Sequence, residues 1–432
     1  MHRCVIALLL GLFLATAAVA QPAFDQLNHD AFAAYKAKDY RRYLDALTKM
    51  DALRPGHPSI LVKLVGAYSL NAQPDEALAV MKRLVVMSVA FDTRNADFNA
   101  IREDPRFAAL ATQINLLRSG RIAGADVAFH IPEKGLITEG LAYDPENNAF
   151  FVSSVRKGKI IRIDRRGQAS DFVKSGLEGV HGLSGLGIDA KRKILWGCST
   201  VSPRWEGFHE GDKSAGTLLG FDLTSGALVK RIAPDSAEVF CDDLTVAMDG
   251  TVYVSDSTGS ILRLAAGSEK LDTLVAHGTI RSPQGSALSA DESRLYVADY
   301  GGPIRAVDVR TGKVTPLTMP SDFQTMGMDG LTRSGNALIA VQNGIEPNRI
   351  VRLDLAADGL TVTRTTILEM NHPLIDEPTI GKMAGNTYYF VGASQGNKFD
   401  KGPADPAKLR EGLIFSIPIV ESIEKGRAPR HP

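Results

Sequence analysis

The feature that most constrains the fold of this 432-residue chain is a strand pattern that recurs six times in its C-terminal two-thirds. Each unit opens with a polar residue, usually followed by a small one, and continues into an apolar strand, a turn, a second strand ending in small polar residues, and two further strands. The first residues of successive units are separated by 42, 61, 42, 45 and 48 positions. The six openers are Glu139-Gly140-Leu141, His181-Gly182-Leu183, Asp242-Asp243-Leu244, Gln284-Gly285-Ser286, Asp329-Gly330-Leu331 and Glu377-Pro378-Thr379.

Four-stranded units at this period predict a mainly β fold, a six-bladed β-propeller over residues 125–425. The sixth unit ends in GLIFSIPIV and lacks an outer strand, which DVAFHIPE at 126–133 could supply from before the first unit. A blade built from both ends of the domain closes the ring and leaves no open sheet edge. A β-sandwich is the alternative, which six units in one register disfavour.

A small α-helical repeat domain is predicted over residues 22–120, where apolar residues recur every three or four positions. Two Ala-Tyr pairs, at 34–35 and 67–68, lie 33 residues apart. Together with DPRFAAL at 104–110, this region resembles about two and a half tetratricopeptide repeats. The resemblance implies either a surface for a protein or peptide partner or a cap on the neighbouring domain. RSGRIAGAD at 118–126 is the predicted linker.

The first twenty residues have a basic start, an apolar run from Val5 and Ala-Val-Ala before Gln21. This pattern predicts a secretory signal peptide cleaved after Ala20, hence a secreted or periplasmic protein. An uncleaved anchor is the alternative, although the run is short for a membrane span. The mature chain keeps Cys198 and Cys241, which are expected at the same end of the propeller, either as a disulfide or as free buried thiols.

The charge of the chain excludes some partners. Its 49 basic and 49 acidic residues balance, and no basic tract stands out. We therefore expect neither a nucleic acid partner nor binding to an anionic membrane surface.

The strand register brings the openers together. The first strand of every propeller blade lines the central channel in the same direction, so the six opening side chains should converge at one end. Four of them are carboxylates, which would repel one another in a partly desolvated site. A bound cation would remove that conflict, and oxygen ligands favour Ca²⁺, with Mn²⁺, Mg²⁺ and, less well matched, Zn²⁺ as alternatives.

Four stretches at these strand starts, EGLAYD, DDLTVAMDGTVYVSD, PQGSALSADESRLYVAD and MDGLTRSGNALIAV, resemble the senescence marker protein/gluconolactonase family, which includes luciferin-regenerating enzymes. That family is related to the paraoxonases and strictosidine synthases, and the resemblance covers residues 125–423. It implies a six-bladed lactonase whose divalent metal is held by a Glu, two Asn and an Asp. Those positions fall on Glu139, Asp242, Gln284 and Asp329.

Two of these four positions depart from the family pattern. Asp242 in place of Asn adds a negative charge, which should tighten cation binding but make the ion a weaker Lewis acid. Gln284 in place of Asn is one methylene longer, so the metal shifts or the contact runs through water. The departures bear on catalysis more than on metal binding.

Three residues are candidates for the base that would activate water. VHGLSGLGID resembles the paraoxonase stretch that carries a catalytic histidine, which places that role on His181. Free carboxylates at Asp243 or Glu377 are the alternatives. Asp243 stands where most units have glycine, so it should point away from the ion that Asp242 faces. The second histidine of the paraoxonase pair has no counterpart, and no G-x-S-x-G motif indicates a serine route.

The activity implied by the resemblance is metal-dependent hydrolysis of a small-molecule lactone or related ester. The main alternative is a non-enzymatic ligand-binding scaffold whose helical repeats bind a protein, and a third option is other chemistry of the strictosidine synthase type. The insertion at 202–216, with Trp205, Phe208 and His209, could overhang the site or form a solvated loop, and residues 394–412 occupy the equivalent position in the last unit.

Overall fold

The protein forms a six-bladed β-propeller preceded by a group of helices. The structure, a computed structural model, describes residues 23–236, 238–400 and 402–420, so the predicted signal peptide at 1–20 and the end of the predicted domain at 421–425 lie outside the described residues. Six four-stranded antiparallel sheets are present, and their inner strands contact one another in a closed ring. The predicted fold class is therefore confirmed.

Each blade runs from an inner strand at the channel to an outer strand at the rim. Blade 1 contains β2 (Thr138–Asp144), β3 (Ala149–Ser154), β4 (Lys159–Ile163) and β5 (Ala169–Val173). Blade 2 contains β6 (Gly182–Asp189), β7 (Ile194–Thr200), β8 (Gly216–Asp222) and β9 (Leu228–Ile232). Blade 3 contains β10 (Cys241–Val246), β11 (Val252–Asp256), β12 (Ser260–Leu264) and β13 (Leu271–Val275).

The remaining blades follow the same order. Blade 4 contains β14 (Pro283–Leu288), β15 (Arg294–Asp299), β16 (Arg305–Asp308) and β17 (Val314–Pro316). Blade 5 contains β18 (Met328–Ser334), β19 (Ala337–Gln342), β20 (Arg349–Leu355) and β21 (Val362–Met370). Blade 6 contains β22 (Gly381–Ala384), β23 (Thr387–Val391), β24 (Glu411–Pro418) and, as its outer strand, β1 (Asp126–Lys134).

The ring closes in blade 6 with strands from both ends of the domain. β1 pairs antiparallel with β24, with Val127 opposite Phe415 and His130 opposite Leu413. The missing outer strand of the sixth unit is thus supplied from before the first unit, as the sequence predicts. Separate apolar clusters fill the six interfaces between neighbouring blades. One of them buries Trp196 of blade 2 against Val254 of blade 3.

The helical part has its own core. Its helices are α1 (23–36), α2 (Tyr40–Leu53), α3 (Pro58–Leu70), α4 (Pro74–Val86) and α5 (Pro105–Ser119), with a short 3₁₀ helix at Ala96–Ile101. Prolines at the first positions of α3, α4 and α5 suit helix starts, because the missing N–H has no partner within the helix there. The buried faces meet at Leu47, Leu61 and Leu84. The resemblance to tetratricopeptide repeats stays a prediction.

The described helices do not combine the length and apolar character needed to cross a bilayer. Hydrogen bonds hold the predicted linker that follows α5 against blade 5. Asn371 Nδ2 donates to the carbonyls of Leu117 and Gly120 at 2.7 and 2.6 Å. Glu369 Oε2 accepts from the backbone N–H groups of Gly124 and Ala125 at 2.9 and 2.8 Å. The helices therefore sit against the end of the propeller at which the inner strands begin.

Candidate functional site

The inner strands of blades 1 to 5 each contain a bulge close to their first residues. At each bulge the inner strand has one more residue than the paired stretch of the second strand. The bulges lie at Glu139-Gly140, Ser184-Gly185, Asp242, Gln284-Gly285 and Asp329-Gly330. A bulge bends a strand and re-aims its side chains. The glycines are needed because neighbouring inner strands approach closely, and a Cβ on Gly140 would overlap Ser184 O. The bulges explain why a polar residue followed by glycine opens the inner strands of blades 1, 2, 4 and 5.

Blade 2 departs from the predicted register. Its bulge falls on Ser184-Gly185, three positions after His181-Gly182. Ser184, and not His181, is therefore the structural counterpart of Glu139 and Asp329. The motif GLSGLG contains two small-residue steps, and the sequence alone does not show which of them carries the bulge.

Three opener carboxylates act on one another at this end of the channel. Burial raises the pKa of Glu139 well above its usual range, and the charges of Asp329, Asp242 and Glu377 raise it further. Burial also raises the pKa of Asp242, with Asp329 next in effect. Glu139 and Asp242 keep some exposed surface, but the protein around them still desolvates the ionised form. The register therefore places three predicted metal ligands around a common space.

Asp329 is the most enclosed of these three, with 7% of its surface exposed. Burial raises its pKa to about 7, and a hydrogen bond from Asn343 lowers it in part. Asn343 Nδ2 donates to Asp329 Oδ2 at 2.6 Å and to Pro378 O at 2.9 Å. Its Oδ1 is buried and has no hydrogen-bond partner among the described residues. An amide oxygen without a partner thus lies beside the carboxylates.

Asp243 is more deeply buried than Asp242. It is 1% exposed, and neither carboxylate oxygen has a well-aligned hydrogen bond within the described part of the chain. Burial raises its pKa, while Lys382 and the nearby N–H groups of Leu244 and Ser286 lower it. The bulge separates the two neighbours, because Asp243 pairs with Ser255 while Asp242 is the extra residue.

Glu377 approaches the same space from blade 6. Its backbone has φ of 60°, a left-handed conformation that costs energy in a residue with a side chain. Its Oε2 accepts from Asn397 N at 3.0 Å. Burial raises its pKa, and the Asn397 N–H and the Arg204 charge lower it. The strained backbone holds a half-buried carboxylate at the edge of the group.

His181 and Gln284 have different surroundings from those expected. The His181 ring packs edge-on against Trp205 with 4.9 Å between centroids. Burial and Arg231 lower its pKa, and no carboxylate of the channel end contributes to that change. Gln284 Nε2 donates to Ser282 Oγ at 3.0 Å. The roles of His181 as a base and of Gln284 as a metal ligand stay predictions.

The structure adds two residues that the sequence does not single out. Arg204, from the insertion at 202–216, carries the positive charge that lowers the pKa values of Glu139, Asp242 and Glu377. Tyr300 follows the second strand of blade 4, and burial, followed by the charge of Asp329, raises its pKa. Its position in the sequence could have indicated Tyr300, because the second strand of each blade ends at the end of the propeller where the inner strands begin. Six residues are called the cup below: Glu139, Asp242, Asp329, Glu377, Tyr300 and Arg204.

The open space at the cup is small. A cavity of about 60 Å³ is lined by residues that include Glu139, Ser184, Arg204 and Asp242. A larger cavity of about 350 Å³ lies outside the cup, at the seam between Arg118 of α5 and blades 5 and 6. Within the described residues, no three His, Cys, Asp or Glu side chains form a ready-made metal cluster. The cup carboxylates therefore converge without closing into a tight ligand set.

A disulfide supports one wall of the cup. Cys198 at the end of β7 is bonded to Cys241 at the start of β10, across 43 positions of sequence. It joins blade 2 to blade 3 one residue before Asp242. Of the two states expected for these cysteines, the structure contains the disulfide.

Comparison with known proteins identifies similar folds only. No family model matches the chain, and no curated protein matches it. A solved gluconolactonase from Xanthomonas campestris is 17% identical, with a TM-score of 0.47 over 68% of this chain and 89% of that one. The calcium-binding protein regucalcin from Agrobacterium tumefaciens is 17% identical, with a TM-score of 0.48 over 68% and 94%. A luciferin-regenerating enzyme is 16% identical, with a TM-score of 0.48 over 69% and 95%.

Proposed function

We propose that the cup binds a divalent cation and that the protein hydrolyses lactones or related esters there. The observation that carries this proposal is the convergence of Glu139, Asp242 and Asp329 from three different blades, each with a pKa raised by burial and by at least one neighbouring carboxylate. Such an arrangement destabilises the ionised protein unless a cation neutralises it. Stability of the fold gives no reason for it, whereas a cation site does.

The donor atoms fit a hard cation. Carboxylate and amide oxygens are the ligands that Ca²⁺ prefers, with Mn²⁺, Mg²⁺ and Zn²⁺ as alternatives. Asn343 Oδ1 and both oxygens of Asp243 are buried without a well-aligned hydrogen bond among the described residues, so oxygen donors are available beyond the opener carboxylates. Glu139, Asp242 and Asp329 would hold the ion, with Gln284 as the fourth predicted ligand. When bound, the cation supplies Lewis acidity toward a carbonyl oxygen.

The other cup residues have roles that follow from their protonation. Glu377 is the best placed of the three candidate bases, because it is partly exposed and its charge acts on Glu139 and on Tyr300. Its raised pKa makes it a stronger proton acceptor than an ordinary glutamate. The raised pKa of Tyr300 keeps its phenol protonated, so that it donates a hydrogen bond to substrate. Asp243 and His181 remain alternative bases.

The experiment is hydrolysis of a panel of γ- and δ-lactones and aryl esters by the purified protein, with chelator and with added Ca²⁺. Glu377→Gln should lower kcat about 100-fold, the typical effect of losing a general base. Asp329→Asn should remove the stimulation by Ca²⁺. Asp272→Asn, which changes an exposed carboxylate of outer strand β13, is the matched control and should change neither. No turnover on any substrate, together with stability that is insensitive to chelator, would refute the hydrolase.

A second candidate function is a ligand-binding scaffold with a protein-binding helical part. The observation that favours it is the 60 Å³ cavity of the cup, since small-molecule sites usually measure about 300–1,000 Å³. A scaffold predicts cation binding without turnover, so the same substrate panel separates the two functions.

We also propose that the protein is exported. The signal pattern at 1–20 and the disulfide between Cys198 and Cys241 support this, because disulfides persist in oxidising compartments. Cell fractionation with N-terminal sequencing tests it, and a mature chain that begins at Gln21 is expected. Recovery of the intact chain from the cytoplasm would exclude export.

A further inference from the structure

Two insertions from different blades meet above the cup. One is the segment 202–216 of blade 2, and the other is the segment 394–400 of blade 6. Arg204 Nη2 of the first lies 2.8 Å from Asp400 Oδ1 of the second. The Arg156 guanidinium stacks 4.8 Å from the ring centroid of Phe399, and its Nη1 donates to Arg204 O at 3.4 Å. The two insertions therefore form one continuous cover.

The cover is also attached to the cup itself. Asn397 N donates to Glu377 Oε2 at 3.0 Å, and Lys398 pairs with Asp376 at 2.6 Å. Gly396 leaves room for the arginine, because a Cβ there would lie 3.0 Å from Arg204 Nη1 and 3.4 Å from Glu377 Oε2. The guanidinium thus lies close to the Glu377 carboxylate.

Arg204 acts on carboxylates of three blades. Its positive charge lowers the pKa values of Glu139, Asp242 and Glu377. Arg204 also lines the small cavity together with Glu139 and Asp242. Its guanidinium offsets part of the repulsion among these carboxylates. A divalent ion in the cup would be repelled by the same guanidinium, so the two compete for one set of negative charges.

The closed cover leaves too little space for a substrate. A cavity of about 60 Å³ holds a few atoms, whereas small-molecule sites usually measure about 300–1,000 Å³. The ion pair that holds the cover is half-exposed, with 44% of the Arg204 side chain and 51% of the Asp400 side chain accessible. Exposed ion pairs are weak restraints, so this one can open readily.

We propose that Arg204 is a tethered counter-cation that keeps the cup closed, and that a divalent cation displaces it and releases the cover formed by 202–216 and 394–400. This inference rests on the proposed function in that the cup binds a divalent cation. It adds a specific device: the closed form is neutralised by the protein's own arginine, and cation binding couples to opening. The pairing of Arg204 with Asp400 could not be predicted from the sequence, because the two residues lie 196 positions apart.

The first test is Ca²⁺ binding measured by calorimetry on the full protein. Arg204→Gln removes the competing charge and should tighten binding at least tenfold, about 1.4 kcal/mol. Arg204→Lys retains the charge and should stay within threefold of the original protein. Lys157→Gln is the matched control, because Lys157 pairs with Glu206 at 2.6 Å and does not contribute to the pKa shifts of the cup carboxylates. Equal affinities of Arg204→Gln and the original protein would overturn the proposal.

The second test is hydrogen exchange of the cover. Ca²⁺ should raise the exchange of 202–208 and 394–400, and Asp400→Asn should raise it without Ca²⁺. Glu269→Gln, which removes the exposed Lys230–Glu269 pair outside the cover, should not raise it. Unchanged exchange of the cover in Asp400→Asn would overturn the proposal that the Arg204–Asp400 ion pair holds the cover closed. If the original protein binds no cation, the metal part of the proposed function fails. In that case, Ca²⁺ binding by Arg204→Gln alone still supports the proposal that Arg204 acts as a counter-cation. If Arg204→Gln does not bind Ca²⁺ either, this proposal is overturned as well.

Discussion

Asp329→Asn should stabilise the protein when no cation is present. The carboxyl is 7% exposed, and burial raises its pKa from 3.8 to about 7 in the folded protein. The folded state therefore holds a proton over a pH range in which the unfolded chain has already released it. By linkage, stability falls as pH rises from about 4 to about 7, and the loss is complete above that range. An asparagine has no proton to release and removes this loss.

The magnitude follows from the two pKa values. Each tenfold change in proton affinity corresponds to about 1.4 kcal/mol, so the ionised form is disfavoured by about 4 kcal/mol in the folded state. Asparagine gives up part of this gain, because the hydrogen bond from Asn343 Nδ2 then reaches a neutral oxygen, which costs about 1 kcal/mol. We expect a net gain of about 3 kcal/mol at about pH 8 and a smaller gain at about pH 5.

The assay is urea unfolding in chelator at several pH values between 5 and 8, for the original protein, Asp329→Asn and the control Asp272→Asn. The gap between the original protein and Asp329→Asn should widen with pH, while the control should follow the original protein. With saturating Ca²⁺ the order should reverse, because the ion stabilises only the protein that binds it. A constant gap across the pH range, or a destabilised Asp329→Asn at about pH 8, would refute the reasoning.

Two further predictions concern the elements that hold the site in place. Replacing Cys198 and Cys241 with serine should lower the free energy of unfolding by about 4 kcal/mol, which is the loop-closure estimate for a 43-residue separation. A urea midpoint equal to that of the original protein would contradict this prediction. Asn371→Ala should lower the free energy of unfolding by about 1–3 kcal/mol, because two backbone carbonyls at the end of α5 lose their hydrogen-bond donor. Hydrogen exchange of α5 should rise in that variant, and unchanged exchange would show that other contacts dock the helices.

The fold was predictable because the repeat pattern has a local physical cause. In four blades a polar residue is followed by glycine, since the inner strand bulges where its neighbours approach. That requirement repeats around the ring and is therefore visible along one sequence. The outer strand supplied by β1 was predictable for the same reason, because a sixth unit with three strands leaves an open edge.

The position of the bulge in blade 2 was not predictable in the same way. His181-Gly182-Leu183 and Ser184-Gly185-Leu186 both match the opener pattern. Only packing against the neighbouring inner strands selects the second, where a side chain on Gly185 would meet Asp243. A three-residue ambiguity in a Gly-rich strand therefore decides which residue of blade 2 is the counterpart of Glu139 and Asp329.

Arg204 and Tyr300 were missed because their contacts depend on tertiary structure. Tyr300 follows a second strand whose end faces the cup only after the blades are assembled, and its phenol responds to charges from blades 1, 5 and 6. Arg204 belongs to an insertion whose course the repeat pattern does not specify. Charge reasoning from sequence counted the carboxylates at the channel end but had no means to place the cation among them.

The adjacent carboxylates Asp242 and Asp243 show how the register and the structure combine. Asp242 is the extra residue of the bulge and shares the cup with Asp329, whereas Asp243 is buried below it without a well-aligned hydrogen bond among the described residues. A buried carboxylate without partners destabilises the fold, and a second charge beside it adds to that cost. Because both residues oppose stability in the absence of a cation, a positive charge in the channel explains the pair better than packing does. Arg204 supplies one such charge to Asp242, and the proposed divalent cation would supply another.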